Sequence, residues 1–265
     1  MSTFVVLKSG NIGNRIKSYV SHLARYDEVK IEMAMDANIF SNLKIASIED
    51  IANYPNTGSV WRLIVDKEEE KYCDKFKSID LLYQKTPQYF IDKYLPIFNK
   101  LKLSIIKQKI DNITKTWDLE NMVGVHIRSY LPPIDTGERS VWIDFEGFEK
   151  EIENTPSNQK IFFSTDNINV MDHFKQKFKD RIITTDRNPI GFYVGDVLAQ
   201  NQEVTEDAFV DMMVLSKCQN KLVATFGSTF TECAWWFGGC KANVVLPTFW
   251  DKVPDSFYND VFIEK

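Results

Sequence analysis

Met122-Val123-Gly124-Val125-His126-Ile127-Arg128 reads as a short buried strand that ends on a histidine and an arginine. Val123, Val125 and Ile127 are β-branched and polar segments bound the run, as in a strand packed beneath helices. Side chains alternate across a strand, so His126 and Arg128 share one face and Val125 and Ile127 the other. At the carboxyl end of a parallel strand such a polar pair points into the crevice where open α/β sheets bind ligands. The same residues also fit a plain strand end, with the arginine on a surface carboxylate and the histidine satisfied in the core.

Outward from this strand, the second half of the chain has a regular rhythm. Phe145 to Ile152 reads as a helix with Phe148 and Ile152 on one stripe. Ile161-Phe162-Phe163 is a strand, Val170 to Phe178 a helix, Arg181 to Thr184 a strand and Glu206 to Lys217 a helix. Leu222 to Thr225 is a strand, Thr229 to Phe237 a helix, and Ala242 to Leu246 a final strand. Strands alternating with helices of this length argue for a parallel, doubly wound sheet.

The first half begins in the same way. Phe4 to Leu7 is a strand, followed by Ser9-Gly10-Asn11-Ile12-Gly13-Asn14-Arg15 and a helix with Ile16, Tyr19, Val20 and Leu23 at helical spacing. Two glycines three apart allow a close-approach loop, and Asn14 can cap the helix. Strand, glycine loop and helix open a Rossmann-like unit. No Gly-Lys-Ser/Thr follows, so the loop is not a P-loop, and it lacks the full dinucleotide fingerprint. Val29 to Met33 reads as a second strand and Val60 to Val65 as a third. Asp66 to about Asp118 reads as several helices with Pro87 and Pro96 as the only breakers, its alternating lysines and acids forming a solvated face. The domain boundary falls near Lys115 to Glu120. The expected organisation is an N-terminal Rossmann-like domain over 1–118, with a helical insertion, and a C-terminal one over 119–265, facing each other across a cleft.

Bulk properties exclude several classes. The 265 residues are 44% hydrophobic and 26% charged, an ordinary globular composition, and the net charge of −5 provides no field for nucleic acid or anionic lipid. Cys73, Cys218, Cys233 and Cys240 contain no C-x-x-C pair, and Cys218 and Cys233 read as reduced core residues. Met1 to Leu7 has no basic leader pattern and no stretch is apolar for long enough to span a bilayer. A cytoplasmic protein with no membrane or nucleic-acid partner is expected.

Three further places could carry chemistry. Asp166, in Ser164-Thr165-Asp166-Asn167, stands at a strand-to-helix junction, where an aspartate caps the helix or meets a ligand. Asp211 lies in a helix that is apolar on nearly every side, so it is expected to be at least partly buried. A buried carboxylate needs donors, which a cap, an internal hydrogen bond or the N–H edge of a guanine would supply. Ala224-Thr225-Phe226-Gly227-Ser228-Thr229 is a strand, a Gly/Ser turn and a helix start, whose open backbone N–H groups suit an anion. Arg128 would add a planar, bidentate donor for a phosphate.

Gly124-Val125-His126-Ile127-Arg128, Phe163-Ser164-Thr165-Asp166-Asn167, Asp211 to Cys218 and Thr225-Phe226-Gly227-Ser228 occur in this order. The set resembles the motifs of the α-1,6-fucosyltransferases and protein O-fucosyltransferases, including the bacterial nodulation enzymes, over roughly Gly124 to Gly239. Gly10 to Arg15 also looks like the glycine loop that opens the first domain of such enzymes. The resemblance implies an α/β fold of GT-B type, two Rossmann-like domains with parallel doubly wound sheets, and a GDP-fucose donor bound mainly by the second domain. It further implies that His126 and Asp211 contact the guanine, Arg128 the β-phosphate, and Ser228 and Thr229 the diphosphate. Gly13, Asn14 and Arg15 would serve the donor from the first domain, and Asp166 belongs to the same donor set. The family is inverting and needs no metal or other cofactor, and no Asp-x-Asp pair occurs here.

Two departures bear on the acceptor side. The α-1,6 branch follows its histidine–arginine strand with a second arginine and an acidic-basic pair. Here Ser129-Tyr130-Leu131-Pro132-Pro133 intervenes and the acids come later, at Asp135 and Glu138. The branch's paired serines are Gly227-Ser228. The expected catalytic set is Arg128 for the leaving group, with Glu138 or Asp135 as the base. The expected partners are a nucleotide-sugar and a carbohydrate acceptor. Use of another nucleotide-sugar, or a non-catalytic nucleotide-sugar or glycan-binding module, are the rival expectations.

Overall fold

In the computed structural model, which describes residues 2–7, 10–58, 63, 66–72, 86–104, 106–128, 145–185, 202–225 and 228–247, two sheets made only of parallel strands carry the fold. The chain divides into two units. Among the described residues, the first takes 2–110 and 202–210, the second 111–185 and 211–247.

The first unit holds strands β1 (Thr3–Val6), β2 (Glu28–Ile31), β3 (Lys44–Ile45) and β4 (Asn56–Thr57), in the order β3-β2-β1-β4. Helix α1 (Ile12–Leu23) links β1 to β2, and α2 (Ala34–Ile39) and α3 (Ile48–Asn53) follow β2 and β3. Helices α4 (Gln88–Phe98) and α5 (Ile106–Thr114) come later, after a 3-10 turn over Lys67–Tyr72. Ile16, Tyr19 and Val20 are buried as their spacing predicts, but so are Arg15, Lys17, Ser18, Ser21 and His22, so α1 is enclosed on nearly every side. Asn14 does not cap it. Asn11 holds the extended N-cap position, with φ −82° and ψ 166°, and Asn14 lies inside the first turn. Pro96 is no breaker either: it sits in the last turn of α4, while Pro87 starts that helix. Phe90, Tyr94 and Phe98, four apart, form its buried stripe. Of the strand expected over Val60–Val65, only Leu63 falls within the described residues.

The second unit holds β5 (Val123–Ile127), β6 (Ile161–Thr165), β7 (Ile182–Ile183), β8 (Lys221–Ala224) and β9 (Asn243–Val245), in the order β7-β6-β5-β8-β9. Helices α6 (Phe145–Glu153), α7 (Ile168–Phe178) and α9 (Thr229–Phe237) alternate with them. Helix α8 (Gln202–Leu215) contributes residues to both units. The opening stretch is thus the central strand, buried at all five positions. Val123, Val125 and Ile127 join Phe148 and Ile152 of α6 and Val170, Met171 and Phe174 of α7 in one cluster. Each fully buried large side chain there contributes about 1.5–3 kcal/mol.

The opposite face of β5 carries Gly124 and His126. A Cβ on Gly124 would stand 2.6 Å from Leu222 and 2.7 Å from Leu215, so the glycine is what lets the end of α8 close onto the sheet. Cys218 and Cys233 are buried free thiols, and burial pushes the Cys218 thiol up to about 12. Helix α7 is capped by Asn167, whose side chain accepts from the Asn169 amide at 3.0 Å, and not by Asp166. No helix among the described residues is long and apolar enough to cross a membrane.

Candidate functional site

Strands β5 and β8 are neighbours, with His126 in register with Ala224, yet the chain leaves them in opposite directions: β5 leads to β6 on one side and β8 to β9 on the other. At such a reversal of strand order the connections diverge and open a crevice beyond the carboxyl ends. Thr225 ties the two strand ends together. Its amide donates to the His126 carbonyl at 3.1 Å, and its hydroxyl accepts from the Arg128 amide at 2.9 Å.

The alternation of β5 sends His126 toward α9. Its Nδ1 lies 2.7 Å from the Thr231 hydroxyl and 3.4 Å from that of Ser228, and its ring stacks on Phe230 at 4.6 Å between centroids. Both hydroxyls and the imidazole are buried. Ser228 is the N-cap of α9, but its side chain turns to the histidine and makes no capping bond. Thr229 follows, half-buried, as the first residue of the helix.

Arg128 forms an ion pair with Asp166, just beyond the end of β6, with side-chain exposures of 22% and 19%. The pair is therefore accessible enough to meet a ligand, yet shielded enough for its charges to matter. Two residues earlier on each strand, Ser164 is in register with His126 and donates to the Asp211 carboxylate at 2.9 Å. Thr185 donates to the other oxygen of Asp211. The expected burial of Asp211 is observed, at 3% exposure.

The carboxyl ends of β5, β6 and β8 thus gather His126, Arg128, Asp166, Asp211, Ser228 and Thr229 from four stretches of sequence. The arrangement offers a guanidinium, a helix N-terminus with its positive dipole end, and a buried carboxylate that accepts hydrogen bonds. Thr225, Thr231 and Thr185 were not anticipated. Thr231 had a legible signal, because it stands three residues beyond the cap and shares the helix face of Ser228.

Gly13, Asn14 and Arg15 belong to the first unit, in the first turn of α1. Arg15 is 0% exposed and ion-paired with Asp36 at 2.7 Å. Asp135 and Glu138 fall outside the described residues. Among the described residues, no group of three or more His, Cys, Asp and Glu is placed to hold a metal ion.

No family model matches the chain, and no curated protein matches it in sequence. Solved structures do match it in fold. A NodZ alpha-1,6-fucosyltransferase soaked with GDP-fucose aligns with a TM-score of 0.52 at 16% identity, covering 89% of this chain and 92% of that one. The same enzyme co-crystallized with GDP gives 0.51 at 13% identity, over 88% and 91%. POFUT1 in complex with GDP gives 0.48 at 9% identity, over 89% and 94%. The α/β, GT-B fold class anticipated from the sequence is the one observed.

Proposed function

We propose that the protein is a glycosyltransferase that moves fucose, or a closely related sugar, from a GDP-sugar to a hydroxyl of a glycan or other acceptor. One observation carries the reading: the Arg128 guanidinium, steadied by Asp166, and the N-terminus of α9 at Ser228 and Thr229 belong to adjacent strand ends at the reversal of strand order. The fold is shared with structures of an enzyme solved with GDP and with GDP-fucose, which supports the same ligand class here.

The chemistry proposed is inverting and metal-independent. The acceptor oxygen attacks the anomeric carbon opposite the diphosphate, the bond to the β-phosphate oxygen breaks, and GDP leaves. Arg128 and the helix end stabilise the charge that builds on the diphosphate. A carboxylate takes the acceptor proton, and Glu138 or Asp135 is assigned that role from the sequence. Asp211 accepts from the N–H edge of guanine and His126 contacts the base beside it. The glycine loop, with Gly13, Asn14 and Arg15, is assigned to donor turnover on its resemblance alone.

A donor-hydrolysis and transfer assay over GDP-fucose, other GDP-sugars and UDP-sugars tests the proposal, with and without EDTA. Turnover of a GDP-sugar that survives EDTA and vanishes in Arg128→Ala is expected. Near-normal turnover in that variant would sink the assignment, and GDP binding without turnover would favour a non-catalytic module.

A further inference from the structure

Gly10, which follows β1 and leads into α1, is held by a buried arginine. Arg15 donates from Nη1 to the Gly10 carbonyl at 2.6 Å, at a glycine whose φ of 65° is costly for residues with a Cβ. The rest of the guanidinium faces Asp36 of α2, with Nε 2.7 Å from Oδ2 and Nη2 3.1 Å from Oδ1. Tyr19, one turn along α1, donates its hydroxyl to the same carboxylate. Arg15, Tyr19 and Asp36 are each 0% exposed. Burial, and then the Asp36 charge, push the Tyr19 phenol well above its ordinary value, so it stays protonated and donating.

A buried ion pair is an inefficient way to join two helices. Desolvation cancels much of the attraction, and apolar side chains of similar volume serve as well. Apolar side chains could not, however, bind a carbonyl of the loop. In the sheet order β3-β2-β1-β4 that loop leaves β1 where the strand order reverses, the place where open α/β sheets meet ligands.

We infer that Asp36 is a positioning residue: with Tyr19 it orients Arg15 against the Gly10 carbonyl and so sets the shape of the loop on which turnover depends. The kinetic part rests on the transferase reading above. Asp36 is assigned no contact with a reacting atom. It acts through Arg15, and Arg15 through the loop.

The test uses the full chain with two near-isosteric variants, Asp36→Asn and Tyr19→Phe. Both are expected to keep the wild-type far-UV circular dichroism and a GDP Kd within about threefold, while kcat falls about tenfold or more in Asp36→Asn and less in Tyr19→Phe. Amide exchange over residues 10–14 is expected to quicken about tenfold in Asp36→Asn while β1 stays protected. A purely structural role would lower the melting temperature and leave kcat below that temperature unchanged. Unaltered exchange over residues 10–14 in folded Asp36→Asn overturns the inference. Should the wild type turn over no GDP-sugar, the transferase reading fails and the exchange result alone decides. Should Asp36→Asn not fold, Tyr19→Phe carries both measurements.

Discussion

The Asp211 carboxylate lies 2.9 Å from the Ser164 hydroxyl, so α8 and β6 meet at a buried hydrogen bond. Both of its oxygens accept, from Ser164 and from Thr185, and an acceptor of this kind suits ligand edges that present N–H groups. If it reads guanine, Asp211→Asn should weaken GDP binding by about 1.5–3 kcal/mol, the usual worth of a hydrogen bond to a charged group. UDP binding should change little. Titration calorimetry with both nucleotides checks this, and an unchanged preference for GDP over UDP would remove Asp211 from base recognition.

Arg128→Lys keeps the positive charge but loses the planar fork. Loss of one preorganised donor to developing charge costs about 10²–10³ in kcat, and the lysine variant is expected near the lower end of that range. The melting temperature should hardly move, because partly exposed pairs such as Arg128–Asp166 contribute about 0–1 kcal/mol. A matching loss of both activity and stability would point to a structural role for the pair.

The organisation of the second unit is legible in its sequence, because short apolar strands such as β5 and β6 alternate with helices α6 and α7, whose apolar stripes are clear. The sequence boundaries for α9, Thr229 to Phe237, coincide with the observed helix. The first unit is harder to read for a physical reason. Strands β3 and β4 are two residues each, Lys44, Ile45 and Asn56 are exposed, and no alternation can develop over so short a span. The site was legible where residue types are unusual for their surroundings, as with Arg128 ending a buried strand or Asp211 within an apolar helix. It was opaque where ordinary threonines act, as with Thr225 and Thr185, since only packing shows which amide or carboxylate their hydroxyls meet. Asp36 was invisible for the same reason: its partner Arg15 lies 21 positions away on another helix.

His22 should make the protein sensitive to acid. Its ring is fully buried and stacked on Phe4 at 3.7 Å, and neither nitrogen meets a partner among the described residues. Burial, and secondarily Arg25, lower its pKa to about 4. An unfolded histidine titrates near 6.5, so between about 6.5 and 4 the unfolded chain binds a proton that the folded chain refuses. The stability contribution is therefore intact above that window, falls as pH drops through it, and is fully lost below about 4, a total of roughly 3 kcal/mol. Urea unfolding at pH 7 and pH 4.5 measures the fall. His22→Phe should flatten the difference that remains after the carboxylates, common to both proteins, are accounted for.

Gly124→Ala should destabilise the protein although alanine is the smallest possible change. The added methyl would stand 2.6 Å and 2.7 Å from two leucine side chains and 3.0 Å from the Cys218 Cβ. Overpacking of this kind costs about 1–3 kcal/mol. A loss below about 0.5 kcal/mol in urea unfolding, within the range of ordinary surface substitutions, would mean that the leucines move aside freely.

The pairing of β5 with β8 also bears on how the molecule comes into being. Thr225 and His126 are bonded to each other across 99 positions of chain. Closing so long a loop is slow relative to forming the local helix and strand pairs on either side. During synthesis the His126 ring must wait for α9, and the Arg128 amide for Thr225, although the ion-pair partner of the arginine, Asp166, emerges earlier with β6. The crevice should therefore be among the last features to form, and any ligand specific to it can stabilise only the finished unit, never its early intermediates.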